Sequence, residues 1–320
     1  MSTVVISMGA TIGEGMQKIW RYLPYRVRLV LRALACLVLS FAILTAAGWW
    51  YLNPSVTRTD GVIYGDRNGT PLTLDVLQPK NANGRAVALM VSGGWKSKDP
   101  GETPVWMLAP VLRRGYTVFA ICHVSQPEAS VQQIVQDMHR GIRFVRHNAD
   151  KYEIDPNRIG VAGGSAGGHL SLMLATCGGP GDQTSPDPVD RESSEVQAVA
   201  IFYPVTDLEN LKGSTTDPGD LGGPPLTFRD SFGEDGIARW DEIAPTLSPI
   251  CHLKESLPPT LIYHGDADTL VILDQSQRYQ AAAWELGNKV ELVVHPSGTH
   301  GWITMLWDVR HFARWFDDHL

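Results

Sequence analysis

Arg158-Ile159-Gly160-Val161-Ala162-Gly163-Gly164-Ser165-Ala166-Gly167-Gly168-His169 decides the reading of this chain. Arg158–Ala162 is short and apolar on both faces, as a central parallel strand should be, and a helix body follows from His169 to Thr176. Between them lies a G-x-S-x-G, Gly163 to Gly167, in the strand-to-helix setting that gives the pattern meaning. A serine on so sharp a turn needs small residues two before and two after it, because the strained backbone brings those positions against neighbouring elements. The helix start also offers free backbone N–H groups and a positive dipole end to a developing oxyanion. A nucleotide-binding turn would need a Gly-Lys-Ser/Thr or a G-x-G-x-x-G spacing, and neither is present.

A nucleophilic serine needs a base, and the base needs an orienting acid. Downstream, Thr260-Leu261-Ile262-Tyr263-His264-Gly265-Asp266-Ala267-Asp268 is a strand ending in a turn with two aspartates. Leu292-Val293-Val294-His295-Pro296-Ser297-Gly298-Thr299-His300-Gly301 is a strand running into a loop with a second histidine. Both would lie past the carboxyl ends of parallel strands, where such sheets carry their sites. His300 sits in a Gly-bounded loop free to reach Ser165, whereas His295 ends a strand and suits packing. Asp268 is the preferred acid, with Asp266 the turn-forming side chain. His264 and His169 are read as structural. One oxyanion donor is expected at Ala166, another in the Ser92-Gly93-Gly94-Trp95 turn after strand Ala86–Ser92.

Outward from this centre the pattern alternates strands and helices. Strands are expected at Ala86–Ser92, Tyr116–Cys122, Val196–Tyr203, Thr260–His264 and Lys289–His295. Helices are expected at Thr103–Arg114, Ser130–Tyr152, Gln275–Leu286 and Met305–His319. An earlier hairpin turns at Asp66-Arg67-Asn68-Gly69. The fold class is therefore α/β, a mostly parallel sheet with helices on both faces. Two stretches, Gly178–Glu195 and Gly213–Gly236, are long for connections and are candidate lids or excursions.

The 320 residues are 43% hydrophobic and 19% charged, enough to bury a large core and too apolar for disorder. Residues 1–53 carry Lys18, Arg21, Arg26, Arg28 and Arg32 against Glu14, so the remainder holds a net −11 of the total −7. That acidic remainder excludes nucleic acid as a partner. Cys122, Cys177 and Cys251 allow at most one disulfide and have no zinc or redox spacing. Ala33–Leu52 is a run of twenty uncharged residues behind a basic flank, which reads first as a transmembrane anchor with the N-terminus in the cytoplasm, with a cleaved signal h-region as the alternative and a buried soluble helix as the third. Trp49-Trp50-Tyr51 suits an interfacial belt, and Thr45-Ala46-Ala47 suits cleavage. Anchor and signal alike put residues 54–320 outside the cytoplasm, which a buried helix would not. The expected organisation is 1–32 basic segment, 33–52 anchor or signal, 53–60 linker and 61–320 catalytic domain.

From Gly61 to Leu320 the chain resembles the esterase/lipase branch of the α/β-hydrolases, close to bacterial carboxylesterase, acetylxylan-esterase-like and feruloyl-esterase-like members. The likeness rests on Thr73–Val76, Ser92–Trp95, Asp155–Val161, Gly163–His169, Ser248–Ile250, His264–Asp268 and Thr299–Gly301. It implies Ser165 as nucleophile, Asp268 and His300 as its partners, and Gly93, Gly94 and Ala166 as oxyanion donors. It also implies hydrolysis of carboxylic esters with short acyl chains on a small-molecule or saccharide-linked alcohol, with no metal or organic cofactor. A peptidase of the prolyl-oligopeptidase type shares the turn and triad but carries a large N-terminal domain that does not fit before Gly61. A non-catalytic binding protein on the same fold would be expected to have a broken triad. Two departures from the family pattern stand out. Val91-Ser92-Gly93-Gly94 replaces the usual His-Gly-Gly-Gly, and Cys122-His123-Val124-Ser125-Gln126-Pro127 replaces a Tyr-Arg pair leading to proline. Trp95 and His123 are accordingly taken as candidate substrate contacts.

Overall fold

A computed structural model describes residues 20–211 and 231–320. The chain divides into two units at Leu52/Asn53. The first contains helix α1, Tyr25–Leu52, whose 28 residues are long and apolar enough to cross a membrane and bury none of their side chains within the protein. It starts eight residues before the expected span, because Arg26, Arg28 and Arg32 are good helix formers that extend the helix toward its basic end.

The second unit is built on one eight-stranded sheet in the order β1-β2-β4-β3-β5-β6-β7-β8. β1 (Val56–Arg67) and β2 (Thr70–Pro79) form the expected hairpin, closed by Asn68 and Gly69 at φ 54° and 87°. Residues 56–60, expected as linker, belong to β1, since Val56–Thr59 pair with Pro79–Val76. β2 pairs antiparallel with β4, and every later pairing is parallel. The remaining strands are β3 (Ala86–Met90), β4 (Thr117–Ile121), β5 (Ile159–Gly164), β6 (Ala198–Phe202), β7 (Thr260–Gly265) and β8 (Val290–His295).

Side chains of the central strands alternate between two cores, as a period of two requires. In β4, Val118 and Ala120 enter one core and Phe119 and Ile121 the other; β6 divides the same way between Ala198, Ala200 and Phe202 on one side and Val199 and Ile201 on the other. Helices α2 (Val105–Leu112) and α8 (Met305–His319) cover the first core. The second lies beneath α3 (Val131–His147), α4 (Ala166–Cys177) and α7 (Asp274–Glu285). Two short helices, α5 (Gly233–Ala238) and α6 (Trp240–Thr246), precede β7. α3 starts on a capping box in which Ser130 and Gln133 satisfy each other's backbone N–H groups, and it ends five residues earlier than expected, followed by a 3₁₀ turn at Asp150–Tyr152.

The long Gly178–Glu195 connection is not built as a lid. Arg140 holds Asp187 and Asp190 at 2.7 and 2.6 Å, Arg143 donates to the Glu192 carbonyl and Arg146 to the carbonyls of Ser193 and Glu195, so three arginines of α3 pin it down. Most of the second stretch, Gly213–Gly236, lies outside the described residues. All four cysteines are free thiols.

Candidate active site

β5 ends at Gly164, and Ser165 stands alone between strand and helix at φ 56°, ψ −121°, with its N–H bonded to the Phe202 carbonyl of β6. That conformation costs an L-residue on the order of 1–3 kcal/mol and is characteristic of functional turns. The small residues around it are required by space. A Cβ on Gly163 would fall 2.4 Å from the backbone C and O of Gly167, and one on Gly167 would fall 2.5 Å from the Met90 carbonyl. Gly163→Ala is therefore expected to destabilise the protein by about 3 kcal/mol or more, since backbone atoms cannot move aside as a side chain can; urea unfolding of the variant against the native chain measures it.

The loop after β8 brings His300 over the serine. The Ser165 hydroxyl donates to His300 Nε2 at 2.9 Å, and His300 Nδ1–H donates to Asp268 Oδ2 at 2.7 Å. Asp268, three residues past β7 and 5% exposed, accepts at its other oxygen from the N–H groups of Leu270 and Val271 at 2.9 and 3.0 Å. Burial alone would push this carboxyl up, but the bonds from His300, Val271 and Leu270 and the charge of His300 outweigh it and hold it below the ordinary carboxylate value. A hydroxyl bonded to an imidazole whose second nitrogen faces a carboxylate can be activated for attack on a carbonyl.

The other aspartate and histidines have different hydrogen-bond partners, although His264 Nε2 lies 3.6 Å from Asp268 Oδ2. Asp266 is exposed and accepts from the Ser297 N–H, closing a turn, while His295 stacks on Trp302 with ring centroids 4.8 Å apart. His264 is fully buried between Ser276 and the Val271 carbonyl. His169, also fully buried, donates from Nε2 to the Leu247 carbonyl at 2.7 Å and accepts at Nδ1 from the Trp95 indole; burial pushes its pKa down to about 4.

The Ser92–Ser97 loop departs from expectation at two positions. The N–H of Gly93 donates to the Lys96 carbonyl at 2.9 Å and the Lys96 N–H returns to Gly93 at 3.0 Å, so Gly93 is already paired and is not available as an oxyanion donor. Gly94 and Ala166 keep backbone N–H groups without a protein acceptor among the described residues. Trp95, taken as a substrate contact, is 2% exposed and turned inward against His169 and Phe232, because its φ of 56° reverses the chain at that point. His123, the other, is 7% exposed, and its ring bonds to Ser92 and to the Val124 carbonyl.

One neighbour escaped the sequence reading. Tyr203, just past β6 at φ 32°, lays its ring against His300 with centroids 4.4 Å apart, and burial followed by the Asp268 charge pushes its phenol up to about 12. The Phe-Tyr-Pro run at 202–204 gave only a strand end, with no signal of what the ring faces.

A mostly parallel sheet with an antiparallel first hairpin, a serine in a strained turn after β5, and an acid and a histidine after β7 and β8 together define an α/β-hydrolase fold. The BD-FAE family model matches residues 74–282, and the chain belongs to this family, part of the esterase/lipase group on that fold. The isoprenylcysteine alpha-carbonyl methylesterase ICME of Arabidopsis thaliana is 28% identical over 88% of this chain and 66% of its own length. The acetylxylan esterase of Xylanibacter ruminicola is 26% identical over 75% of this chain and 44% of its own. The chain thus spans two thirds or less of the length of these curated relatives. Among solved structures, a truncated carbohydrate esterase from gut microbiota superposes with a TM-score of 0.66 at 26% identity, covering 82% of this chain and 96% of that one.

Proposed function

We propose that the protein is a carboxylic ester hydrolase in which Ser165, His300 and Asp268 act as a catalytic triad. The observation that carries this is the unbroken run from the Ser165 hydroxyl through both nitrogens of His300 to Asp268. In this reading Ser165 Oγ attacks the ester carbonyl while His300 Nε2 takes its proton, and Asp268 fixes the proton on Nδ1 and stabilises the imidazolium. The N–H groups of Gly94 and Ala166 receive the oxyanion. Collapse of the tetrahedral intermediate expels the alcohol, which takes the proton from His300, and water releases the acyl group by the same steps in reverse.

The substrate class we assign is an ester of a short acyl group on a small or saccharide-linked alcohol. Its support is the carbohydrate esterase and acetylxylan esterase among the relatives. The basic flank and apolar length of α1 support delivery of residues 53–320 to the outside of the cytoplasmic membrane, whether α1 is kept or cleaved. The test is hydrolysis of p-nitrophenyl acetate, butyrate and octanoate by the full chain, with a fluorophosphonate probe mapped by peptide mass spectrometry. Turnover that falls with acyl length and a label on Ser165 are expected. A folded protein that neither turns over these esters nor takes the label overturns the reading, and turnover of short peptides in their place would favour the oligopeptidase alternative.

A further inference from the structure

The loop that bears Gly94 is entered through Val91, which packs into the core. The segment after β4 approaches this loop. His123 Nε2 meets the Ser92 hydroxyl at 3.0 Å, Ser125 Oγ accepts from the Ser97 N–H at 3.0 Å, and Gln126 donates from its backbone to the Trp95 carbonyl at 3.1 Å and from its side chain to the Gly94 carbonyl at 3.4 Å. We propose that His123 is a positioning residue for the oxyanion loop, holding it through Ser92, with Gln126 clamping the far side of the same turn. The inference rests on Gly94 and Ala166 being the oxyanion donors.

The proton count fixes the direction of the bond. His123 Nδ1 lies 2.8 Å from the Val124 carbonyl, which only accepts, so Nδ1 carries the hydrogen and Nε2 is bare. The Ser92 hydroxyl is then the donor. Burial, which pushes the imidazole pKa down to about 4, keeps that arrangement at neutral pH. Ser92 meanwhile receives the Gly167 N–H on its carbonyl at 3.1 Å, so one residue is tied both to His123 and to the helix that follows Ser165. The effect reaches Gly94 through peptide geometry. In a trans peptide the C=O and N–H point in opposite directions, and the Gly93 carbonyl is held by Lys96 N–H, so the Gly94 N–H is turned away from that bond. A loop fixed at Ser92, Gly93, Gly94 and Trp95 keeps the donor aimed without reorganisation during the reaction.

Full removal of an oxyanion donor typically costs 10²–10³ in turnover; loosening its support should cost about tenfold to a hundredfold. The experiment uses the full chain, p-nitrophenyl acetate, and a phenylboronic acid that forms a tetrahedral adduct with the serine. For His123→Ala we expect kcat and boronic acid affinity to fall by the same factor with KM within about twofold of native. Ser92→Ala should reproduce this, and the double variant should be no worse than either single change. His123→Gln, whose amide oxygen can accept from Ser92, should recover part of the loss. A rise in KM with kcat unchanged would make His123 a substrate contact and overturn the proposal, as would additive losses or no loss. Should His123→Ala fail to fold, judged by its thermal midpoint, Ser92→Ala carries the same expectation alone. Failure of the esterase reading is distinguishable, because the native protein itself would then neither turn over nor bind the boronic acid.

Discussion

Ser165→Ala is expected to lower kcat on p-nitrophenyl acetate by on the order of 10⁵ while leaving the fold in place. The backbone reason for an intact fold is that serine and alanine both carry a Cβ, so the cost of φ 56° is already met in the native chain. The Ser165 side chain caps no helix N–H, and its bond is to His300. Its loss therefore removes one hydrogen bond, worth about 1 kcal/mol of stability. What remains after the substitution is the oxyanion pair and binding, which in comparable enzymes retain on the order of 10³–10⁴ over the uncatalysed reaction. Steady-state kinetics with unfolding curves on the same preparations checks both halves. Turnover within tenfold of native in a folded variant would mean that another group delivers the nucleophile.

The residues that proved legible were those whose chemistry and local spacing carry the same message. Gly163 and Gly167 flank the serine because backbone atoms occupy the space of a side chain, and that need is visible as a pattern. The sequence favours His300 over His295 because one sits in a Gly-bounded loop and the other ends a strand, and Asp268 over Asp266 because the latter suits a turn-forming side chain; the structure sets the His300 ring between Ser165 and Asp268. The inner strands could be placed because apolar residues on both faces mark central positions. What escaped depended on partners brought from afar or on single backbone angles. Nothing local says that Trp95 takes φ 56° and turns into the core, yet that one angle seats the indole on His169. The pairing of Gly93 with Lys96 depends on the same reversal. His123 was placed correctly at the end of a sheet strand, but its role depends on which hydroxyl of a neighbouring loop it meets. The arginines of α3 recur every three residues and could be seen as a stripe, while their acceptors lie some fifty residues on, in a loop read as a possible excursion.

Asp268→Asn is expected to lower kcat by on the order of 10⁴ at neutral pH, the loss that a wrongly placed imidazole proton causes in a comparable triad. The hydrogen bonds dictate how. Asp268 Oδ1 accepts from two backbone N–H groups, so an asparagine side chain would keep its oxygen there and turn its amino group toward His300 Nδ1. That nitrogen would have to accept, the ring proton would move to Nε2, and Nε2 could no longer take the proton of Ser165. Stability supplies an independent readout. Because the Asp268 carboxyl is held below its ordinary value in the folded protein, its contribution is fully present above the unfolded pKa of about 3.9 and is lost as pH falls through the folded value. The difference in unfolding free energy between native and variant, followed by urea titration from neutral pH downward, should be flat at first and shrink in the acid range. Asp266→Asn is the matched comparison: its carboxylate is exposed and closes a turn onto the Ser297 N–H, a bond an asparagine oxygen can keep, so turnover should stay within about twofold. If Asp266→Asn were the more damaging of the two, the acid would be assigned to the wrong aspartate and the proton path through His300 would have to be redrawn.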